Sequence, residues 1–392
     1  MSTQPHTSAE SAVHPDADGT LATGTRTAPG HDRTTGPRPR GTGAGVTSTY
    51  SELLAQVKDA GLLRRRLGFY GALFVGLLLA MAACWVAFAF LGDSWLQLLV
   101  AAALGAVLTQ FAFLAHEAAH RQVFESRAWN DRAGLYIAAF LVGLSYSWWM
   151  NKHNRHHGNP NTIGKDPDIE PDTIVFIPED AARARGPVRW VIRRQGWLFF
   201  PLLTLEGINL HRHAVVAIVR GAGGKPDPRG RVLEGALLIA RFGIYLTVLF
   251  CFLPLGLAFA FLGVQLAVFG VLMGASFAPN HKGMPTIAPD AKVDFLSRQV
   301  LTSRNIRGGR WVSPLMGGLN YQIEHHLFPS MPRPALRQAR LLVRAHCAKV
   351  GVPYTETTLL RSYGIVIRYL NRVGLSARDP FVCPLVADLR IH

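Results

Sequence analysis

The chain has 392 residues, of which 49% are hydrophobic and only 17% charged. That balance points away from an ordinary soluble domain and towards a polytopic membrane protein. The net charge of +16 reads as membrane-surface and topogenic charge, because no interleaved basic and aromatic motif on a soluble module supports nucleic acid as a partner.

Residues 1–48 are rich in Gly, Thr, Pro, Ser and Ala without hydrophobic periodicity, and are expected to form a disordered tail. No cleavable signal peptide is visible, since the first apolar run begins too late and is too long. The basic stretch "LLRRRLG" precedes a first span, Leu67 to Leu91; "GDSW" then leads to a second, Trp95 to Ala115. Each exceeds or matches the roughly 20 helical residues that cross a hydrocarbon core.

The second span runs into "HEAAH" at 116–120, which places His116 and His120 four residues apart on one helix face. Residues 134–150 are apolar but short and aromatic, as in an interfacial or re-entrant segment. "HNRHH" follows at 153–157, with His153, His156 and His157 at i, i+3 and i+4. His211 and His213 in "NLHRH" read as an interfacial helix face, outside any metal site. A long apolar block from Leu233 to Ala278 is broken by "FLPLG", whose Pro254 and Gly256 suit a turn between two further spans. Arg241, inside the third span, is expected to be structural and to snorkel towards its basic end.

His281 lies just past the fourth span, at the same expected membrane depth as His116. Asn280 beside it reads as a helix cap or a water-mediated ligand. "QIEHH" at 322–326 repeats the i, i+3, i+4 spacing with Gln322 in the first position and His325 and His326 after it. His346 and the terminal histidines have no partners in the pattern. Four cysteines at 84, 251, 347 and 383 show no C-x-x-C spacing, so neither disulfides nor a thiolate site is expected.

Helical turns with histidines at these offsets can aim their rings into one cleft and surround a binuclear centre. Imidazole suits Fe, Zn, Cu and Ni alike, so ligand type leaves the metal open. A zinc-protease reading of "HEAAH" explains only two of the histidines. Transport of a divalent metal would put polar groups near mid-bilayer, whereas these boxes lie at the ends of spans and outside them. Lys and Arg precede the first span and are missing from the two short interspan connections. By the positive-inside rule both termini and the segment 116–232 are therefore cytoplasmic.

The boxes "HEAAH", "HNRHHGNPN" followed by "DPDI", and "GGLNYQIEHHLFPSMPR" resemble those of the integral-membrane fatty acid desaturases, over roughly residues 50 to 360. The resemblance implies an all-α membrane protein with four transmembrane helices in two hairpins and a cytoplasmic helical cap holding a di-metal site. The domain would span 49–375, with a C-terminal tail at 376–392. It implies two non-haem Fe ions, O2 as oxidant, and a cis double bond introduced into a fatty acyl-CoA or acyl-lipid. Carried over residue by residue, the metal ligands are His116, His120, His153, His156, His157, His281, His325 and His326. Gln322 stands in the catalytic centre where many members carry a further histidine. It would bind iron, hold a water or orient a neighbour, and it resembles the branch that desaturates between an existing double bond and the carboxyl end.

Asp166, Asp168, Glu117 and Glu324 are candidates to hydrogen-bond ligand histidines. Arg304 and Arg307 are candidates to bind a carrier phosphate or lipid headgroup. The acyl slot is expected among the spans and near Trp148 and Trp149. "VHPDADG" at 13–19 departs from the haem motif of a fused cytochrome b5 domain, and no nucleotide-binding glycine motif follows a strand. A separate electron donor is thus expected: a ferredoxin, a flavin and iron-sulfur reductase, or cytochrome b5. Hydroxylation of a lipid on the same scaffold is the alternative reaction.

Overall fold

A computed structural model describes residues 49–172, 174–221 and 227–376. The tail expected at 1–48 lies outside the described residues, as does the one at 376–392 apart from Ser376. Helix α1 (Thr49–Asp59) lies on the cap and buries Leu53 and Val57. Two spans follow as a hairpin, α2 (Leu67–Leu91) and α3 (Gln97–Ala119). Gln97 closes it by donating to the carbonyls of Phe88 at 2.7 Å and Gly92 at 3.0 Å, which satisfies carbonyls that a helix end leaves free.

The second hairpin is α10 (Pro228–Phe252) and α11 (Leu255–His281), turned at Leu253 and Pro254. Among the described residues these are the four helices long and apolar enough to cross a membrane. Lipid is as apolar as the side chains, so association between spans depends on close packing. Gly105 of α3 supplies it, since a Cβ there would sit 2.8 Å from the Gln265 carbonyl oxygen of α11.

Between the hairpins, α4 (Arg127–Leu135) continues as a π-helix over Tyr136–Val142 and meets α5 (Tyr146–Gly158) at 118°. This is the short apolar segment of the sequence, bent back on itself. Gly143, at φ 95°, makes the reversal that a side chain would resist. Arg241 does not snorkel as expected. Its Nε donates to the Leu141 carbonyl at 3.0 Å, near the end of the π-helix, where a helix leaves its last carbonyls free. Helix α5 starts on Ser145, whose hydroxyl accepts from Trp148 N–H, while the buried Glu234 accepts from Ser147 N–H.

Short helices α6 (Pro178–Arg183), α7 (Gly186–Ile192) and α8 (Phe199–Leu203) lead to α9 (Glu206–Arg220). After the fourth span come α12 (Phe295–Leu301), β1 (Asn305–Arg307), α13 (Val312–Leu315), a 3-10 turn at Leu319–Tyr321 and α14 (Gln322–Leu327). Helix α15 (Arg333–Val350), β2 (Glu356–Thr358) and α16 (Leu359–Ser376) complete the cap. The fold is helical as expected, with one addition, a three-residue parallel pairing of β1 with β2. Leu336, Ala339, Val343 and Cys347 form the buried stripe of α15, and Leu53 and Val57 of α1 pack in the same core.

Candidate metal centre

All eight histidines singled out in the sequence meet where α3 and α11 end beneath the cap. They form two groups. His116, His120, His153, His157 and His325 each bring one ring nitrogen to within 4.8 Å of the others, and so do His156, His281 and His326. Within the larger group the Nε2 atoms of His116 and His120 lie 3.1 and 2.7 Å from Nε2 of His153. Nitrogens bound at about 2.0–2.1 Å to one ion are separated by about this much.

The division runs through the adjacent pairs. His157 belongs to the larger group and His156 to the smaller; His325 and His326 divide the same way. Successive residues of an α-helix point roughly 100° apart, so one His-His pair serves two neighbouring sites. The rings of His157 and His326 stack across the boundary at 4.3 Å between centroids.

Each ring of the smaller group is held from behind through Nδ1. His156 is 3.0 Å from Asp166 Oδ1, His281 is 3.0 Å from the Thr302 carbonyl, and His326 is 2.9 Å from Gln299 Oε1. With the Nδ1 proton engaged, the lone pair lies on Nε2 and faces the cluster. Asp166 is fully buried and also accepts from the backbone N–H of Asn161 at 2.7 Å and Asp168 at 2.9 Å. Asn161, at φ 51°, donates in turn to the carbonyls of His281, Pro285 and Thr302.

Burial pushes the pKa values of His153, His157, His325 and His326 well below the ordinary range, and that of His120 down to about 3. The rings are therefore neutral donors of lone pairs. His156 is the exception: burial opposes its charge, but the carboxylates of Asp168 and Asp166 raise its pKa. Both ring nitrogens of His157 and the Nε2 atoms of His325 and His326 are buried and have no hydrogen-bond partner among the described residues. An unpartnered buried polar atom costs on the order of 1–3 kcal/mol, and a cation at each group would satisfy these. The donor set fits two imidazole-ligated metal ions.

Gln322 is buried beside the smaller group, its Nε2 2.9 Å from His281 Nε2 and its Oε1 accepting from Asn280 Nδ2 at 3.1 Å. Trp149 stacks on His153 at 4.2 Å and forms a wall of the larger group, whereas Trp148 stacks on His213. His211 and His213 stay outside both groups, as does the buried His346.

Three expectations are corrected. Glu117 orients no histidine; it forms a bidentate pair with Arg333, both bonds 2.6 Å, because its side chain leaves α3 towards α15. Glu324 accepts instead from Asn305 Nδ2 and Tyr354 O–H, each at 2.7 Å, and burial raises its pKa to about 7. Arg304 is too buried to meet a headgroup, and donates to the carbonyls of Pro279 and Lys282 and to Ser362 Oγ. Asp168 is intermediate, 3.4 Å from His156 Nδ1 but paired with Lys152 at 3.0 Å. Gln299, Thr302, Asn161 and Arg333 were missed. Only Asn161 carried a local signal, the "GNPN" turn directly after the second box.

A model of the fatty acid desaturase family matches residues 93–358. The chain is 27% identical to a Delta(8)-fatty-acid desaturase of Helianthus annuus over 85% of its own length and 75% of that protein's. It is 28% identical to the Delta(6)-fatty-acid desaturase fat-3 of Caenorhabditis elegans over 68% of this chain and 62% of the relative. To a Delta 8-(E)-sphingolipid desaturase of Lachancea kluyveri the identity is 29%, over 71% of this chain and 52% of the relative.

Proposed function

The chain belongs to the fatty acid desaturase family, and from that premise we propose that its eight clustered histidines hold two non-haem iron ions and that it introduces a cis double bond into a fatty acyl chain. It is a membrane oxidoreductase. The observation that carries the metal assignment is the convergence of ring nitrogens in a group of five and a group of three, beneath the cap of a four-span protein.

The iron ions would supply the O2-derived oxidant that no side chain provides. The balance is simple: the acyl chain gives up two hydrogens with two electrons, a donor adds two more with two protons, and O2 leaves as two waters. The chain's own part is geometric. Asp166, Thr302 and Gln299 hold three rings in one tautomer, and Trp149 closes one side of the larger group. Gln322, fastened by Asn280, holds the metal-facing Nε2 of His281 through its amide nitrogen and would have to release it to an ion.

The relatives named for positions 8 and 6 support a new double bond placed at a fixed count from the carboxyl end. Basic residues before α2, and their lack in the two interspan turns, support a cytoplasmic metal centre and cytoplasmic termini. Electrons then arrive from a separate protein on that side, a ferredoxin, a flavin and iron-sulfur reductase, or cytochrome b5. The acyl group enters as a coenzyme A thioester or a membrane lipid.

The test is fatty-acid methyl ester analysis of a host expressing the chain with ferredoxin and its reductase, beside a His325→Ala, His326→Ala variant. A new cis-unsaturated acid absent in the variant is expected, with iron in the purified protein. A hydroxylated acid instead would select the alternative reaction on the same scaffold, and zinc in place of iron would overturn the assignment.

A further inference from the structure

Away from the histidines, a cavity of about 310 Å³ opens between α9, α10 and α11, near the small end of the range of about 300–1,000 Å³ for ligand pockets. Ile208, Val215, Phe242, Leu246, Leu262 and Leu266 give it apolar walls. Ile208, Val215 and Leu246 are themselves exposed, so its mouth opens on the outer surface of the second hairpin.

Set into these walls is Arg241, about 20 Å of helical rise from Pro228 and about 16 Å from Phe252, deep in a hydrocarbon core about 30 Å thick. Its Nε holds the Leu141 carbonyl, and its guanidinium carbon lies 4.5 Å from the centre of the Tyr245 ring. Its two Nη groups have no hydrogen-bond or acidic partner among the described residues, and no Asp or Glu among them lines the cavity. A charge at this depth is costly unless it is matched.

Tyr245 leads from this cation to a second unsatisfied donor. Its O–H donates to Gln265 Oε1 at 3.1 Å, which leaves Nε2 as the free end of the amide. Gln265 lines the cavity, is 2% exposed, and its Nε2 has no partner among the described residues. The other polar groups on the lining are engaged: His211 Nδ1 with the Gly207 carbonyl at 2.7 Å, and Arg212 with Asn209 Oδ1 at 3.1 Å. What is left is one cation and one amide donor, joined by a tyrosine, in an apolar pocket. Such a set calls for an acceptor that carries negative charge on a hydrocarbon body. An ester carbonyl or an alcohol would satisfy Gln265 but leave the charge of Arg241 unmatched.

We propose that this cavity binds the carboxylate of an unesterified long-chain fatty acid, with Arg241 Nη and Gln265 Nε2 donating to its oxygens and its chain leaving along the apolar walls into the lipid. The site is separate from the metal centre, since Gln265 precedes His281 on α11 by about 24 Å of helical rise. Through the Nε of Arg241 it nonetheless touches the end of the π-helix, whose turn leads into α5 and the second box.

Scintillation proximity binding of tritiated palmitate to the full-length protein in detergent tests this, with unlabelled palmitate, methyl palmitate and hexadecanol as competitors. Saturable binding is expected, with palmitate competing about tenfold or more better than either neutral analogue. Arg241→Gln and Gln265→Leu should each remove most of that margin. Arg241→Lys keeps the charge without the planar fork and should recover part of it, which separates loss of the anion site from a folding defect. Gln265→Leu leaves Arg241 and its bond to Leu141 in place, and so tests the pocket with the turn intact. Neutral analogues that compete as well as palmitate would assign the cavity to an uncharged lipid and overturn the carboxylate. Palmitate binding unchanged in both Arg241→Gln and Gln265→Leu would place the acid elsewhere, the acyl path of the enzyme included, and overturns the site, as does an absence of saturable binding.

Discussion

Asp166 receives the His156 ring and the backbone N–H groups of Asn161 and Asp168 on its two carboxylate oxygens. Removing its charge therefore loosens one ligand and the turn that follows the second box. Asp166→Asn is expected to weaken metal binding at the smaller histidine group by about 10–100-fold while leaving the larger group loaded. Metal content measured against increasing chelator would show a loss of one ion before the other. Simultaneous loss of both would refute the division into two sites. The sequence made Asp166 a candidate through the "DPDI" that follows "HNRHH", and the structure joins it to His156. Glu117 and Glu324, inside the boxes themselves, were the better-placed candidates, yet each faces away from the rings.

Glu117 shows what an element needs beyond its own periodicity. It lies in the first box on α3 but binds Arg333, at the start of α15 after the third box, so one buried pair ties a span to the cap. Both side chains are almost fully enclosed. Breaking a buried pair from one side leaves an uncompensated charge and costs about 3–5 kcal/mol. Glu117→Gln is accordingly expected to lower the unfolding midpoint strongly, and adding Arg333→Leu should recover part of the loss. Thermal unfolding of the two variants checks this; a double variant worse than the single one would show that the pair does more than neutralise itself.

For the molecule as a whole, the centre gathers ligands from α3, α5, α11 and α14, elements far apart in the chain. A metal bound only by the folded state stabilises it by RT ln(1 + [L]/Kd), about 2.7 kcal/mol at one hundred times Kd. Chelation is thus expected to lower the unfolding midpoint and ferrous iron to restore it, with a smaller response in the His325→Ala, His326→Ala variant. An unchanged midpoint would mean that the cap is held together without metal.

The sequence by itself determined the spans, the turn at Pro254 and the membership of the histidine clusters, because runs of about 20 apolar residues and i, i+3, i+4 spacings are local properties. Only the tertiary structure decided which histidine joins which group and where the charged side chains find partners. Arg241 turned to the Leu141 carbonyl, Arg304 was buried against Pro279, and Glu117 met a residue 216 positions away. A buried polar group takes the nearest complementary partner in space, and with helices joined by long connections that partner leaves no mark in the spacing of the chain.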